Sequence, residues 1–212
     1  MAHDSTLLSA QPGAPNLAGK GLANRQRIVA AALHLFMERG YAETSIGDVA
    51  DHAGLLKGNL SYYFKTKGDM LAAVSDARMQ ELFERLQQRL PAKASASEAL
   101  GAFVQVTEDS AFELARVGCP VGTLASQLGR TDPALQPHAS RILRALQDWL
   151  VGQFRRSVDD DAAQAHAEYL LTLLQGAAIM AHALKDEGLV LRQCATARLW
   201  LGSVLPPESS LK

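Results

Sequence analysis

The stretch KGNLSYYFKTKGDM, from Lys57 to Met70, concentrates groups that can do polar chemistry. Lys57, Lys65 and Lys67 are cations, Asn59 and Ser61 both donate and accept hydrogen bonds, and Tyr62 and Tyr63 carry phenolic hydroxyls. Gly58 leaves the backbone open to close approach. Lys57, Asn59 and Ser61 are spaced to reach base edges from the start of a short helix, with Tyr62 and Tyr63 donating to phosphate oxygens. The competing reading makes the aromatic rings core and the lysines solvated. It suits Phe64. It suits Lys67 less well, because a cation in the first turn of a helix opposes the dipole and calls for an external anion.

The elements around this stretch are helical. Ile28, Ala32, Leu35 and Phe36 share one face of a helix that starts near Asn24 and stops at Gly40. ETSIGDVADHAG follows as a short second helix, with Ser45 and Asp48 at capping-box spacing and Gly54 closing it. A third helix is expected from Leu56 or Lys57 to Tyr63. Thr66 and Asp69 repeat the capping spacing and open a longer fourth helix that ends at or before Pro91. The second and third helices, joined by a tight turn, form a helix–turn–helix whose second helix suits the DNA major groove.

Downstream, the apolar period predicts helices from Ser97 or Glu98 to Arg116, Val121 to Leu128, Pro133 to Phe154 and Asp161 to Leu184, and a last one after Gly188. No strand pattern is present, so the expected fold is all-α. Residues 1–21 read as a flexible arm, 22–70 as a three-helix DNA-binding head, and 71–212 as a larger helical body.

The totals narrow the function classes. The chain has 212 residues, a formal net charge of −1 and two cysteines, which is too few for a disulfide framework. From Lys20 to Met70, seven Lys/Arg stand against five Asp/Glu, a local excess of +2. No segment reads as a membrane span, and the expected location is the cytoplasm. There is no GxSxG elbow, phosphate loop or metal-spaced His/Cys/Asp cluster, so no catalytic, metal or cofactor site is expected.

IVAAALHLFMERGYAETSIGDVADHAG followed by KGNLSYYFKTKGDMLAAV resembles the DNA-binding region of TetR-type transcriptional regulators. The resemblance covers Arg25 to about Val74 and runs in register through Ala-Leu-x-Leu-Phe, Gly-Tyr, Thr-Ser, x-Val-Ala-x-x-Ala-Gly, Leu-x-Tyr-Tyr-Phe and Thr-Lys. It implies a homodimer that binds a double-stranded operator and senses a small-molecule effector in its body, most often as a repressor. It carries DNA contact to Thr44, Lys57, Asn59, Tyr62, Tyr63 and Lys67, with Gly58 and Ser61 beside them. Arg25, Arg27 or Lys20 add candidate phosphate contacts. Two positions depart from the family pattern. Leu56 stands where Ser or Thr usually caps the recognition helix, and Ser61 stands where Tyr is common. Leu56 keeps an alternative open, a helical interaction module whose head no longer binds DNA.

In the body, Phe103, Phe112, Trp149, Tyr169 and His182 are candidates for an effector cavity, each with core packing as the alternative. GCPVG, Gly118 to Gly122, places Cys119 at a helix start, where the dipole favours the reactive thiolate of an electrophile or oxidant sensor. The alternative is a small side chain filling a tight turn. Cys194 falls on a core stripe. Leu173, Ala177, Ala181, Leu191, Ala195, Arg198 and Gly202, on the last two helices, are the expected dimer face. Their small members would let four helices pack closely, two from each subunit.

Overall fold

The computed structural model describes residues 19–205. Among the described residues the regular elements are ten helices: α1 (Lys20–Glu38), α2 (Ile46–His52), α3 (Lys57–Tyr63), α4 (Lys67–Gln87), α5 (Ala96–Glu108), α6 (Ala111–Val117), α7 (Pro120–Thr131), α8 (Gln136–Phe154), α9 (Asp160–Leu184) and α10 (Glu187–Val204). The all-α expectation holds. The expected arm lies outside the described residues up to residue 18, and from Lys20 the chain is already helical.

Local signals set most helix starts. Ser45 accepts from Asp48 N at 3.1 Å while Asp48 Oδ2 accepts from Ser45 N at 2.7 Å. Thr66 and Asp69 make the same reciprocal pair at 3.0 and 2.9 Å. Ser95 and Glu98 form a third such box that the sequence reading missed, starting α5 earlier than expected. Each box satisfies two backbone donors that would otherwise lack partners. Gly40 and Gly54 adopt φ of 89° and 64°, a left-handed backbone that L side chains resist, and they turn the chain out of α1 and α2.

The expected single helix ending at Arg116 is broken between Glu108 and Ala111. Hydroxyls compete with the helical ladder there. Ser110 Oγ donates to Val106 O at 2.8 Å, and Thr107 Oγ1 donates to Phe103 O at 3.2 Å. Arg85 Nη2, reaching over from α4, donates to Ser110 Oγ at 3.1 Å. These bonds occupy carbonyls and crowd the turn where the ladder would continue.

Two apolar cores result. The first joins α1 to α3 and the start of α4, through Met70, Leu71 and Val74. It does not end at Met70: Leu124, Ala125 and Leu128 of α7 and Ala139 of α8 pack into it. The second core fills the space among α5, α6, α8, α9 and α10, and takes in Leu86 from the far end of α4. Thus α4 is rooted in both cores. Helix α9, of 25 residues, is long and apolar enough to cross a membrane by length and composition, which corrects the expectation that no segment is. Here one of its sides lies in the protein core, with Ala163, Ala167, Leu170 and Leu174 all buried.

Candidate nucleic-acid interface

Helix α3 has one buried residue, Leu60, at 0% exposure. That anchor fixes the helix's rotation. Lys57, Gly58, Asn59, Ser61 and Tyr62 are consequently all exposed on its outer side, as the sequence predicts for a reading surface. Ser61 Oγ donates to Gly58 O at 2.9 Å. Tyr62 packs edge-on against Tyr63 with ring centroids 5.2 Å apart. Tyr63 is half-buried, and its hydroxyl accepts from Asn24 Nδ2 at 3.4 Å, which ties α3 to α1. Leu56, at the N-cap, supplies no side-chain bond and is 77% exposed.

Two expected contacts are turned inward. Thr44 is 1% exposed, and its hydroxyl donates to Gly40 O at 2.8 Å and lies 3.2 Å from Leu35 O. The side chain therefore holds the turn that follows α1 and is not free to meet a phosphate. Lys67 does not need the external anion the sequence called for. Its Nζ donates to Ala42 O at 3.2 Å and sits 4.2 Å from the centre of the Tyr41 ring. Burial pushes the Lys67 ammonium below the usual lysine range, and the charges of Glu43 and Asp48 oppose that shift. Burial, with the charge of Asp132, pushes the Tyr41 hydroxyl up.

Arg27 is also employed internally. Its Nη2 donates to Ala53 O at 2.6 Å, closing the end of α2 beside Gly54. Arg25 lies over the Phe64 ring at 5.1 Å. The remaining cations of the head, Lys20, Arg39, Lys57 and Lys65, are exposed.

Behind the head, a cavity of about 630 Å³ is walled by α1, α4, α5, α6, the start of α7, α8 and α9. This volume suits a drug-sized ligand. Of the six residues expected there, Phe103 and Cys119 line it. The other four are elsewhere. Phe112 is exposed on α6. Trp149 is half-buried and packs toward Phe103 with ring centroids 6.1 Å apart. Tyr169 is exposed and leans on Trp200 at 4.5 Å. His182 Nδ1 is 3.3 Å from Ala115 O. Cys119 is the N-cap of α7, with its Sγ 3.5 Å from Gly122 N, as the GCPVG spacing predicts. Cys194 is buried in the second core, and burial pushes its thiol up to about 11.

Sequence reasoning missed the wall contributed by α1, where Leu33, His34 and Met37 face the cavity. Leu33 and Met37 stand one helical turn apart, but nothing local says that a head helix also borders the body.

The expected dimer face divides. Leu191, Ala195 and Gly202 are exposed, and Leu173 is half-buried. Ala177 and Ala181 are buried in the subunit's own core, where α6, α8 and α10 all pack against α9. Arg198 is occupied within the subunit by Gln105 at 2.7 Å and by the Glu108 carboxylate. In their place α9 exposes Ile179, Met180 and Leu184, and α10 exposes Leu199 at 80%.

Residues 28–74 match the family pattern described as bacterial regulatory proteins, tetR family, and residues 96–197 match that of the LmrA/YxaF-like transcriptional regulator C-terminal domain. The chain is 32% identical over 74 residues to the fatty acid metabolism regulator protein of Bacillus subtilis (strain 168), covering 35% of this chain and 38% of that one. It is 29% identical over 157 residues to the HTH-type transcriptional regulator BetI of Ectopseudomonas mendocina (strain ymp), covering 72% and 78%. It is 34% identical over 87 residues to the HTH-type transcriptional repressor KstR2 of Mycolicibacterium smegmatis, so the first and third of these matches span 38% and 42% of the relatives' own length. A TetR transcriptional regulator from Legionella pneumophila superposes with a TM-score of 0.72 at 20% identity, over 91% of this chain and 100% of that one. At that identity the likeness speaks for the fold.

Proposed function

We propose that this chain, which belongs to the TetR family of bacterial transcriptional regulators, is a ligand-responsive repressor that binds a palindromic operator as a homodimer in the cytoplasm. The observation that carries the reading is the outer side of α3. Lys57, Gly58, Asn59, Ser61 and Tyr62 are exposed together while Leu60 locks the helix from behind. A helix anchored in this way presents donors and acceptors to a groove at little entropic cost on binding.

One α3 reads one half-site, so specificity calls for a second copy with its α3 about 34–36 Å away. The exposed Ile179, Met180, Leu184, Leu191 and Leu199 on α9 and α10 supply an apolar face for that pairing. Control follows from α4, which is rooted in both cores and borders the cavity. An effector there, or modification of Cys119, shifts α4 and with it the spacing of the two heads. A coupling of about 1–3 kcal/mol is enough for release.

The test is fluorescence anisotropy of the purified protein on its own upstream intergenic DNA at several salt concentrations. Selective binding that weakens with salt is expected, and Lys57→Ala should lower the slope of log K against log salt by roughly 0.9 if Lys57 meets one phosphate. Binding without selectivity, unaffected by Lys57→Ala and Asn59→Ala, sinks the repressor reading. It would leave a helical interaction module whose head has lost DNA.

A further inference from the structure

The cavity wall mixes an apolar floor with a charged rim. Phe103, Val106, Ile142, Leu146, Leu174 and Ala178 are all buried and form the floor. The rim's carboxylates are already held. Glu38 meets His34 at 3.2 Å, Glu81 meets Arg78 at 2.5 Å, Glu113 meets Arg116 at 2.8 Å, and Asp109 meets Arg89. Among the described residues, Arg85 is the arginine of the lining with no carboxylate at ion-pair distance. Its Nη2 donates to Ser110 Oγ at 3.1 Å and Val106 O at 3.4 Å. No bond from its Nε or Nη1 to a described residue is present. A guanidinium has five N–H donors in a planar fork, and a half-used fork matches the two oxygens of a carboxylate.

We infer that the cavity takes an aliphatic monocarboxylate, its head on Arg85 and its chain along the apolar floor. The charge count selects a monoanion. Arg78, Arg116 and, from outside the lining, Arg89 are each held by a carboxylate, so once Arg85 is engaged a second negative charge on the ligand has no arginine left to meet it. The floor selects an aliphatic chain, since Phe103 is its single aromatic among the six residues named and offers no partner ring for a sandwich. The site bears on regulation because Arg85 and Lys67 lie on the same helix, roughly 27 Å apart at 1.5 Å per residue. That consequence rests on the regulatory reading above, whereas the binding itself does not.

The experiment is titration calorimetry on the full chain without DNA, using decanoate, decanol and decyl phosphate. Decanoate is expected to bind at least about tenfold more tightly than decanol, the scale of one charge-assisted hydrogen-bonded pair. It should also outbind decyl phosphate. Arg85→Met should bring decanoate down to the affinity of decanol and leave decanol unchanged, and Arg85→Lys should restore part of the preference. Ser110→Ala removes the bond Arg85 makes at the α5–α6 break and should keep the preference, which separates recognition from a structural role. Equal binding of decanol, tighter binding of decyl phosphate, a preference surviving Arg85→Met, or no binding of decanoate would each overturn the inference. Operator binding by the ligand-free protein is measured separately. A protein that binds decanoate but no DNA keeps this inference and loses the repressor reading.

Discussion

Leu56→Ser should stabilise the start of α3. Leu56 holds φ −69° and ψ 137°, close to the φ −68° and ψ 168° of Ser95, whose side chain does cap its helix. In three other helices of this protein the N-cap hydroxyl accepts from the N–H three residues on. The matching donor in α3 is Asn59 N, now 2.8 Å from Leu56 O. Replacing a residue that cannot cap by Ser is worth about 1 kcal/mol. Little is lost in exchange, because Leu56 is 77% exposed and buries almost nothing. Helix α3 has seven residues and no acidic residue in its first turn, so no other side chain duplicates the cap. About 1 kcal/mol is roughly a fivefold change in a local opening equilibrium. Native-state hydrogen exchange should therefore slow about fivefold at the Leu60 and Ser61 amides and stay unchanged in α9. Leu56→Ala, which removes the leucine without adding a hydroxyl, should not slow it. Unchanged or faster exchange in Leu56→Ser would refute the claim that this helix lacks a cap.

Thr44→Val keeps the shape but removes the hydroxyl that donates to Gly40 O, with Leu35 O keeping the Arg39 N–H, and should cost about 1–3 kcal/mol in urea unfolding, while Thr44→Ser stays near wild type. A Thr44→Val protein of full stability would return the residue to the DNA surface. Leu199→Asp, on an 80% exposed position, should leave subunit stability within about 0.5 kcal/mol and shift sedimentation from dimer to monomer. A dimer that persists would place the interface elsewhere. Lys67→Met removes the contacts to Ala42 O and the Tyr41 ring, and should lower thermal stability as well as operator affinity. An affinity loss with no stability loss would mean that its work is done at a phosphate. Hydrogen bonds from Ser45, its side chain first and its backbone N–H next, hold Asp48 below the usual aspartate range. The folded value is the lower one, so its contribution is present above that range and is lost as pH falls through it. Asp48→Asn should flatten the acid limb of a stability-against-pH profile, and an unchanged limb would dismiss the cap as its source.

The sequence alone determined the helical class, the span of α3 and the caps at Ser45 and Thr66, because these depend on groups within one or two turns of each other. A hydroxyl three residues before a carboxylate, or an apolar side chain every third or fourth position, acts locally and reads locally. Tertiary structure decided which side of each helix meets what. Thr44 has the same chemistry pointing in or out, and the turn that follows α1 drew it inward. Ala177 and Ala181 are small enough for a dimer seam or for the subunit's own core, and the packing of α6, α8 and α10 against α9 chose the core. Arg85 breaks no rule within α4, yet it reaches across to Ser110, at the gap that divides the expected single helix into α5 and α6. The cavity itself arises where α1 from the head faces α4, α5, α8 and α9, with lining residues from Ala30 to Ala178 that no local pattern connects. Burial depends on the sum of such distant neighbours, and that sum exists only once the chain is folded.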